Sequence, residues 1–412
     1  MRFAIVGSGI AGLGAAHKLH QHVDLEVFEA AEWIGGHTHT VDVPLESGPT
    51  AVDTGFIVYN NATYPLLTEL FRDLGVATEP SDMSFAVAGE PREYEGSVRG
   101  MFADRKAAFD PQHWLMIKDI ITFNRRVRDA AGDNLPSSTT LGDFTRDLSP
   151  AFRDRYLLPM CAAIWSTPKA DMENYPAQTL MRFFNNHGLI QLKDRPQWRT
   201  VTGGARKYVE KLVAPFADRI HTNTPVQEIR RTATGVDVVF SDSIQRFDGV
   251  LLATHADVSL KILNGSATQR EQDLLSNFAY SKNHAVLHSD PSFMPSRRRA
   301  WASWNVTATD RSSLPSVTYW MNRLQNLDTP EQLFLTLNPV REPRRIWGSW
   351  IYDHPMFDTA AIDAQPELAS LQGDDRVWYA GAYFRYGFHE DGIMAGYAAA
   401  ESVLHQFDRV PG

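Results

Sequence analysis

The chain has a single cysteine, Cys161, in 412 residues. An intramolecular disulfide is therefore excluded, and a thiolate metal site lacks the partners it needs. The setting of that cysteine, "LLPMCAAIW", is apolar and suits a packed, inert thiol. Basic charge is also short: 40 Lys and Arg stand against 49 Asp and Glu, a net charge of −9. Nucleic-acid affinity comes largely from clustered cations, so nucleic acid is not an expected partner. No apolar run reaches the length that spans a bilayer. The start "MRFAIVGSGIAGLGAA" has the charge and apolar run of a signal peptide, but its glycine spacing speaks against that reading, and a cytoplasmic location is expected. There is no internal repeat or low-complexity tract, and "AAGDNLPSSTTLGD" (130–143) reads as a polar loop. The absence of G-x-S-x-G leaves serine-hydrolase chemistry unsupported.

What is present begins at the N-terminus. With 43% hydrophobic and 22% charged residues, the chain should fold as a globular protein of two or three compact units. "RFAIVG" is short, apolar and β-rich, and it runs into "GSGIAGLGAAHKL", whose alanines and leucine suit a helix. Gly7, Gly9 and Gly12 fill G-x-G-x-x-G: the first permits the tight turn, the second lets backbone approach a pyrophosphate, and the third lets helix pack on strand. Ile10 and Ala11 then head a helix whose free N–H groups favour phosphate. A second strand, "DLEVFEA", ends at Glu29, where an acid meets ribose hydroxyls and repels a 2′-phosphate. This βαβ context predicts dinucleotide binding but does not separate FAD from NAD.

The segment "EAAEWIGGHTHT" (29–40) could be a metal site, an acid/base pair or a cofactor cradle. His37 and His39 make a poor metal site, because no third ligand at fitting spacing accompanies them. "EWIGGHTHT" resembles the stretch after the second strand in flavoproteins of the amine oxidase and phytoene desaturase superfamily, where a double glycine and a basic residue lie along the FAD pyrophosphate. Gly35 and Gly36 match, and His37 stands where those proteins carry Arg or Lys, giving a weaker, pH-dependent contact. "DTGFIVYN" is similar to the segment beside the flavin ring, which implies roles for Thr54 and Gly55. "TVTGGARKYVEKL" resembles the G-G turn before a helix. "TNTPVQEIRRTATGVDVVFSDSIQRFDGVLLATHA" resembles the β-meander in which Val226 would meet adenine and Ala253 would return to the FAD sheet. "RVWYAGAYFRYGFHEDGIMAGYAAAESVL" resembles the closing strand and helix, placing Gly381, Gly392 and Ile393 at the ribityl chain and flavin. The family's acid after Ala-Gly is missing, since Ala382 and Tyr383 follow Gly381.

"DTGFIVYNNATYP", "LLPMCAAIWSTP" and "GAYFRYGFHEDG" also resemble a bacterial group of FAD-binding oxidoreductases, similar to the N-terminal module of plant cyclopropane fatty acid synthases. The resemblance implies FAD and an α/β architecture: a Rossmann-type, glutathione-reductase-like FAD domain with an inserted mixed α+β substrate domain. The expected boundaries are 1–60, 196–260 and 370–412 for the FAD domain, and 61–195 and 261–369 for the substrate domain.

A flavin carries the electron chemistry itself, so few catalytic side chains are needed. No second fingerprint marks an NAD(P)H site. Trp320, Tyr383, Tyr386 and Phe388 could line an apolar tunnel, or serve as ordinary core. His389, Glu390 and Asp391 could steer a proton near the flavin, or form a capped helix entry. The candidate catalytic set is His389, Glu390, Tyr383 and Trp320. "FDPQHWLMIKDIITFNRRVRDA" sets Trp114, Leu115, Ile121 and Phe123 beside Arg125, Arg126 and Arg128, the pattern of a membrane-surface helix or of a solvated helix on a core. Three functions remain open. One is hydride transfer to flavin N5 from an apolar substrate, foremost a fatty-acyl chain, with desaturation, oxidation or isomerisation as outcomes. The second is amine oxidation within an aromatic cage. The third is a non-catalytic FAD-binding partner of a lipid methyltransferase.

Overall fold

A computed structural model describes residues 1–89, 92–130, 136, 139–186, 196–307 and 310–408; half of the 130–143 stretch lies outside them. The strand Arg2–Val6 is the middle of a five-stranded parallel sheet. Asp24–Phe28 flanks it on one side and Gly249–Leu252 on the other, with Ile220–His221 and Val377–Tyr379 at the two edges. The central strand is covered on both faces: Phe3 and Ile5 enter one core, Ala4 and Val6 another. This burial explains its unbroken apolar run, since parallel strands of doubly wound folds have no solvent face.

Helices Ile10–Leu19 and His389–Asp408 cross on one face of the sheet. Their approach depends on small residues. A Cβ on Gly396 would collide with the Ala11 carbonyl, and one on Gly392 would stand 2.7 Å from Ile10 Cγ2. An antiparallel meander of Glu228–Thr232, Gly235–Val239 and Ile244–Phe247 completes an α/β, Rossmann-type FAD-binding architecture.

The other large element is a seven-stranded sheet in the order Ile346–Pro355, Tyr280–His288, Phe334–Leu337, Ser316–Trp320, Trp304–Thr307, Phe85–Ala88, Tyr94–Glu95. Register puts Phe85, Trp304, Tyr319 and Leu335 side by side across four strands, so side chains of one face form a continuous row. Helices Pro111–Ala130, Leu158–Trp165 and Ala177–Asn186 supply a helical lobe.

Candidate active site

The turn after the first strand sets Gly7 at φ +102°, where a Cβ would lie 2.6 Å from the Ala253 carbonyl oxygen. Only glycine fits there. Glu29 locks the turn: Oε2 accepts from the Ser8 N–H (2.9 Å) and hydroxyl (2.6 Å), and Oε1 accepts from the Ala31 N–H (2.8 Å). Oε1 keeps acceptor capacity for a further hydroxyl. The Ser8 hydroxyl also accepts from the Gly35 N–H at 3.2 Å, so it ties the second glycine pair to the first. Gly36, at φ +57°, comes so near that its Cβ would stand 3.0 Å from Gly9 Cα. A Cβ on Gly9 itself would meet no protein atom within 4 Å. That open space in front of a helix N-terminus is what a diphosphate requires.

One cavity of about 590 Å³ draws these groups together: Gly7, Gly9, Ile10, Ala11, Glu29, Gly35, Gly36 and His37 line it, with Thr54, Gly55 and Ala253. Gly381, Gly392, Tyr383 and His389 line it too, as do Tyr386 and Phe388. The row Phe85, Trp304, Tyr319 and Leu335 forms part of its wall, and Met160, Ile164, Trp165 and Phe183 from the helical lobe line it as well.

Other expected residues lie elsewhere. Trp320 is outside the lining; its Nε1 donates to Gln332 Oε1 at 2.9 Å, and Arg298 and Trp301 pack on its ring. It directly follows Tyr319 in the strand, so its side chain leaves the opposite face of the sheet, in register with Phe334 rather than in the cavity row. Glu390 is also outside: its carboxylate accepts from the Leu66 N–H (2.8 Å) and the Leu67 N–H (3.0 Å), capping the helix Pro65–Asp73. Its acceptor positions face those orphan donors, so a catalytic assignment does not fit it. Asp391 reaches back to the Phe388 N–H at 2.9 Å, and burial pushes its carboxyl up to about 6. Asp391 thus builds the capped entry of its own helix, whereas Glu390 caps the helix Pro65–Asp73 instead. Gly12 is a packing glycine whose Cβ would collide with the Gly7 carbonyl, and Ile393 is buried in the core behind Gly392. Val226 lies half-buried before the meander, outside the lining.

His37 and His39 diverge. His39 Nδ1 lies 2.8 Å from the Thr54 hydroxyl and 3.0 Å from the Tyr352 hydroxyl. The His37 ring stands 6.0 Å from that of His255 and 5.6 Å from that of His354. Burial, then the neighbouring His354, holds His37 well below the ordinary histidine range. Both effects favour the neutral imidazole over the fixed cation of the Arg or Lys that the resemblance places here. Its ring donates to the Asp353 backbone, and Nε2 has no partner among the described residues. The state of His354 follows from its neighbours. Asn338 Nδ2 donates to Asn283 Oδ1 (2.8 Å), which turns Asn283 Nδ2 toward His354 Nδ1 (3.3 Å). Nδ1 is therefore an acceptor, and the proton belongs on Nε2. His255, His354 and Asp353 were not anticipated from the sequence; their only signal was a histidine just past an apolar strand, in "LLATHAD" and at the end of "WIYDHP".

His389 lines the cavity with its ring 3.9 Å from that of Phe56, and Nε2 lies 2.6 Å from the Tyr208 hydroxyl. Burial pushes its imidazole down to about 3. Tyr383, fully buried, presents a hydroxyl with no partner among the described residues. Asp353 Oδ1 is likewise unpartnered. No Lys or Arg is among the described lining residues.

Comparison with known proteins agrees with this geometry. The model of flavin containing amine oxidoreductases matches residues 10–292. A Mycobacterium tuberculosis protein named as a flavin-containing monoamine oxidase is 24% identical over 266 residues, covering 60% of this chain and 55% of its own. A Synechocystis L-amino acid dehydrogenase is 24% identical over 250 residues, 57% and 51% of the two chains. The chain thus spans about half the length of the curated relatives it matches. Among solved structures, cyclohexylamine oxidase from Brevibacterium oxydans superposes with TM-score 0.72 at 17% identity, over 99% of both chains. A CLA-producing fatty acid isomerase from P. acnes gives 0.69 at 16% identity, over 98% of both.

Proposed function

The chain belongs to the family of flavin-containing amine oxidoreductases, with FAD as its cofactor, and on that premise we propose that it desaturates, oxidises or isomerises a fatty-acyl chain. The observation carrying this reading is the apolar lining: the cross-strand row Phe85, Trp304, Tyr319, Leu335 together with Met160, Ile164 and Phe183, with no Lys or Arg among the described lining residues. Such a wall takes up hydrocarbon through the hydrophobic effect, at about 25 cal/mol per Å² buried. Among the described residues it offers no fixed cation to a free carboxylate, which favours an acyl ester whose head group stays outside.

The glycine cradle, the Ile10 and Ala11 N–H groups and Glu29 would hold the diphosphate and ribose, and Gly381 and Gly392 would allow the flavin close approach. The flavin, when bound, supplies hydride acceptance at N5. The protein supplies orientation: the aromatic row holds the chain in place and the apolar walls exclude water. The Tyr383 hydroxyl, kept protonated by burial and without a partner among the described residues, would be free to donate should a substrate oxygen reach it.

Apolar amine oxidation is the second reading, favoured by Asp353 Oδ1, which has no partner among the described residues, in a lining whose described residues include no Lys or Arg. Anaerobic mixing separates the two. Phospholipid acyl esters in detergent micelles should bleach the flavin or emerge with altered double bonds by mass spectrometry, while alkyl and aryl amines do neither. Bleaching by amines, with lipids unchanged and inert, would overturn the acyl reading.

A further inference from the structure

Helix Pro111–Ala130 packs one face inward through Met116, Ile120, Phe123 and Val127. The opposite stripe, Trp114, Lys118, Ile121, Arg125 and Arg128, is exposed at helical spacing. Trp114 and Ile121 on it are 52% and 56% exposed. Trp114 Nε1 donates to the Ala108 carbonyl at 2.9 Å, tying to the helix the preceding turn, whose Phe109 is 89% exposed. The structure thus sorts the residues of this helix: Phe123 belongs to the core, Arg126 pairs with Asp147, and the outward aromatic is Trp114.

The exposed apolar groups stand among cations. Arg105, Lys106, Lys118, Arg125 and Arg128 are exposed, and none makes an ion pair among the described residues. Nearby acids are engaged elsewhere: Asp110 faces Arg92 and Arg155, Asp104 accepts from Arg92, and Asp119 accepts from the Ser149 N–H. Asp129 is the acid left beside Arg128. In a chain of net charge −9, this face has the opposite sign to the molecule. Solvent alone does not favour Phe109, Trp114 and Ile121 exposed together, whereas the boundary between lipid head groups and acyl chains does.

We propose that this face, Phe109 with the Trp114–Arg128 stripe, docks on an anionic lipid surface. Cations attract the head groups, and the aromatic and aliphatic groups enter the interface. The same elements reach the cavity wall. The helix Ala177–Asn186 sets Phe184 against Phe123 at 6.2 Å, and its Phe183 lines the cavity. Docking stands independently of the acyl-chain reading, which would give it a purpose: an ester head group stays at the membrane while its chain enters the protein.

The test is co-sedimentation of the full FAD-loaded chain with phosphatidylglycerol vesicles and with phosphatidylcholine vesicles. Binding to the first and not the second is expected, falling as salt rises. Lys118→Ala and Arg125→Ala should each weaken it about fivefold, from roughly 1 kcal/mol per cation near an anionic surface. A Phe109→Ser, Trp114→Ser pair should abolish most of what remains. Flavin content and cooperative unfolding should be retained and exclude misfolding, with the melting temperature unchanged in Lys118→Ala and Arg125→Ala and lowered only slightly where the Trp114–Ala108 bond is lost. Absence of binding to phosphatidylglycerol, equal binding to both lipids, or variants that bind like the parent would overturn the proposal. Lipid bleaching in micelles needs no docking, so failure here and failure of the acyl-chain reading remain distinguishable.

Discussion

The His389 imidazole lies flat against the Phe56 ring, with centroids 3.9 Å apart and planes 12° from parallel. A loop that opens the C-terminal helix thereby stacks on the segment following the strand Gly48–Asp53. The hydrogen bond from His389 Nε2 continues through the Tyr208 hydroxyl to Thr38 Oγ1, with 2.6 Å at each step.

Because burial holds His389 near 3, it stays neutral at every working pH. Flavin reduction should carry no titration from this ring. His389→Phe keeps the stack on Phe56 and loses the bond to Tyr208, costing about 1 kcal/mol of stability. Stopped-flow reduction of parent and variant from pH 5 to 9 checks this; a limb in the parent profile that vanishes in the variant would show that the ring titrates.

Glycines nine and twelve should separate cofactor loading from folding. Gly9→Val places its side chain where no protein atom stands, so the protein should fold with native circular dichroism yet purify without flavin colour. Gly12→Val drives its side chain into the Gly7 carbonyl and should yield unfolded or insoluble protein. Bound flavin in Gly9→Val at the parent ratio would contradict the placement of the diphosphate.

Glu390→Gln should lower the melting temperature and leave the rate per bound flavin intact. The amide oxygen can serve the Leu66 or the Leu67 N–H, but the anion at that helix N-terminus is gone, a loss of about 1 kcal/mol. A hundredfold fall in turnover would restore the catalytic role that the cap argues against.

Asp53 should make stability depend on pH. Its buried carboxylate accepts from the Thr40 hydroxyl, the Ala205 N–H and Gln325 Nε2 (2.8 Å), while burial pushes it up to about 7 from an ordinary 3.8. The folded state holds this proton more tightly than the unfolded chain. The stabilisation is therefore fully present below the unfolded value and is lost as pH rises through about 7, amounting to about 2 kcal/mol between pH 5 and 7. Urea titrations of parent and Asp53→Asn at pH 5, 6, 7 and 8 check it: the variant should lose the slope. Equal slopes would assign the pH dependence to other groups.

The nucleotide half of the site was legible because its signals are local. Gly7, Gly9 and Glu29 sit on one strand-turn-helix-strand unit, where spacing alone dictates what meets what. The cavity's other groups arrive by long-range pairing. His354 reaches His37 because Ile346–Pro355 pairs with Tyr280–His288, a register that sequence pattern does not reveal. Glu390 shows the converse. Its position beside the glycine-rich closing segment suggested chemistry, but the helix whose orphan N–H groups it satisfies begins more than three hundred residues earlier. Trp320 failed for a subtler reason: side chains alternate along a strand, so with Tyr319 facing the cavity its neighbour takes the other face, and sequence pattern does not say which face meets the cavity.

The sheet begun by Arg2–Val6 closes only when Val377–Tyr379 adds to Gly249–Leu252, and the helix His389–Asp408 covers Gly9 to Gly12 only then. During synthesis, the fingerprint therefore leaves the ribosome long before the segment that completes its surroundings. The nascent chain thus carries an unfinished nucleotide seat until residues 377–408 have emerged, and a ribosome-stalled chain ending before residue 377 should fail to retain FAD.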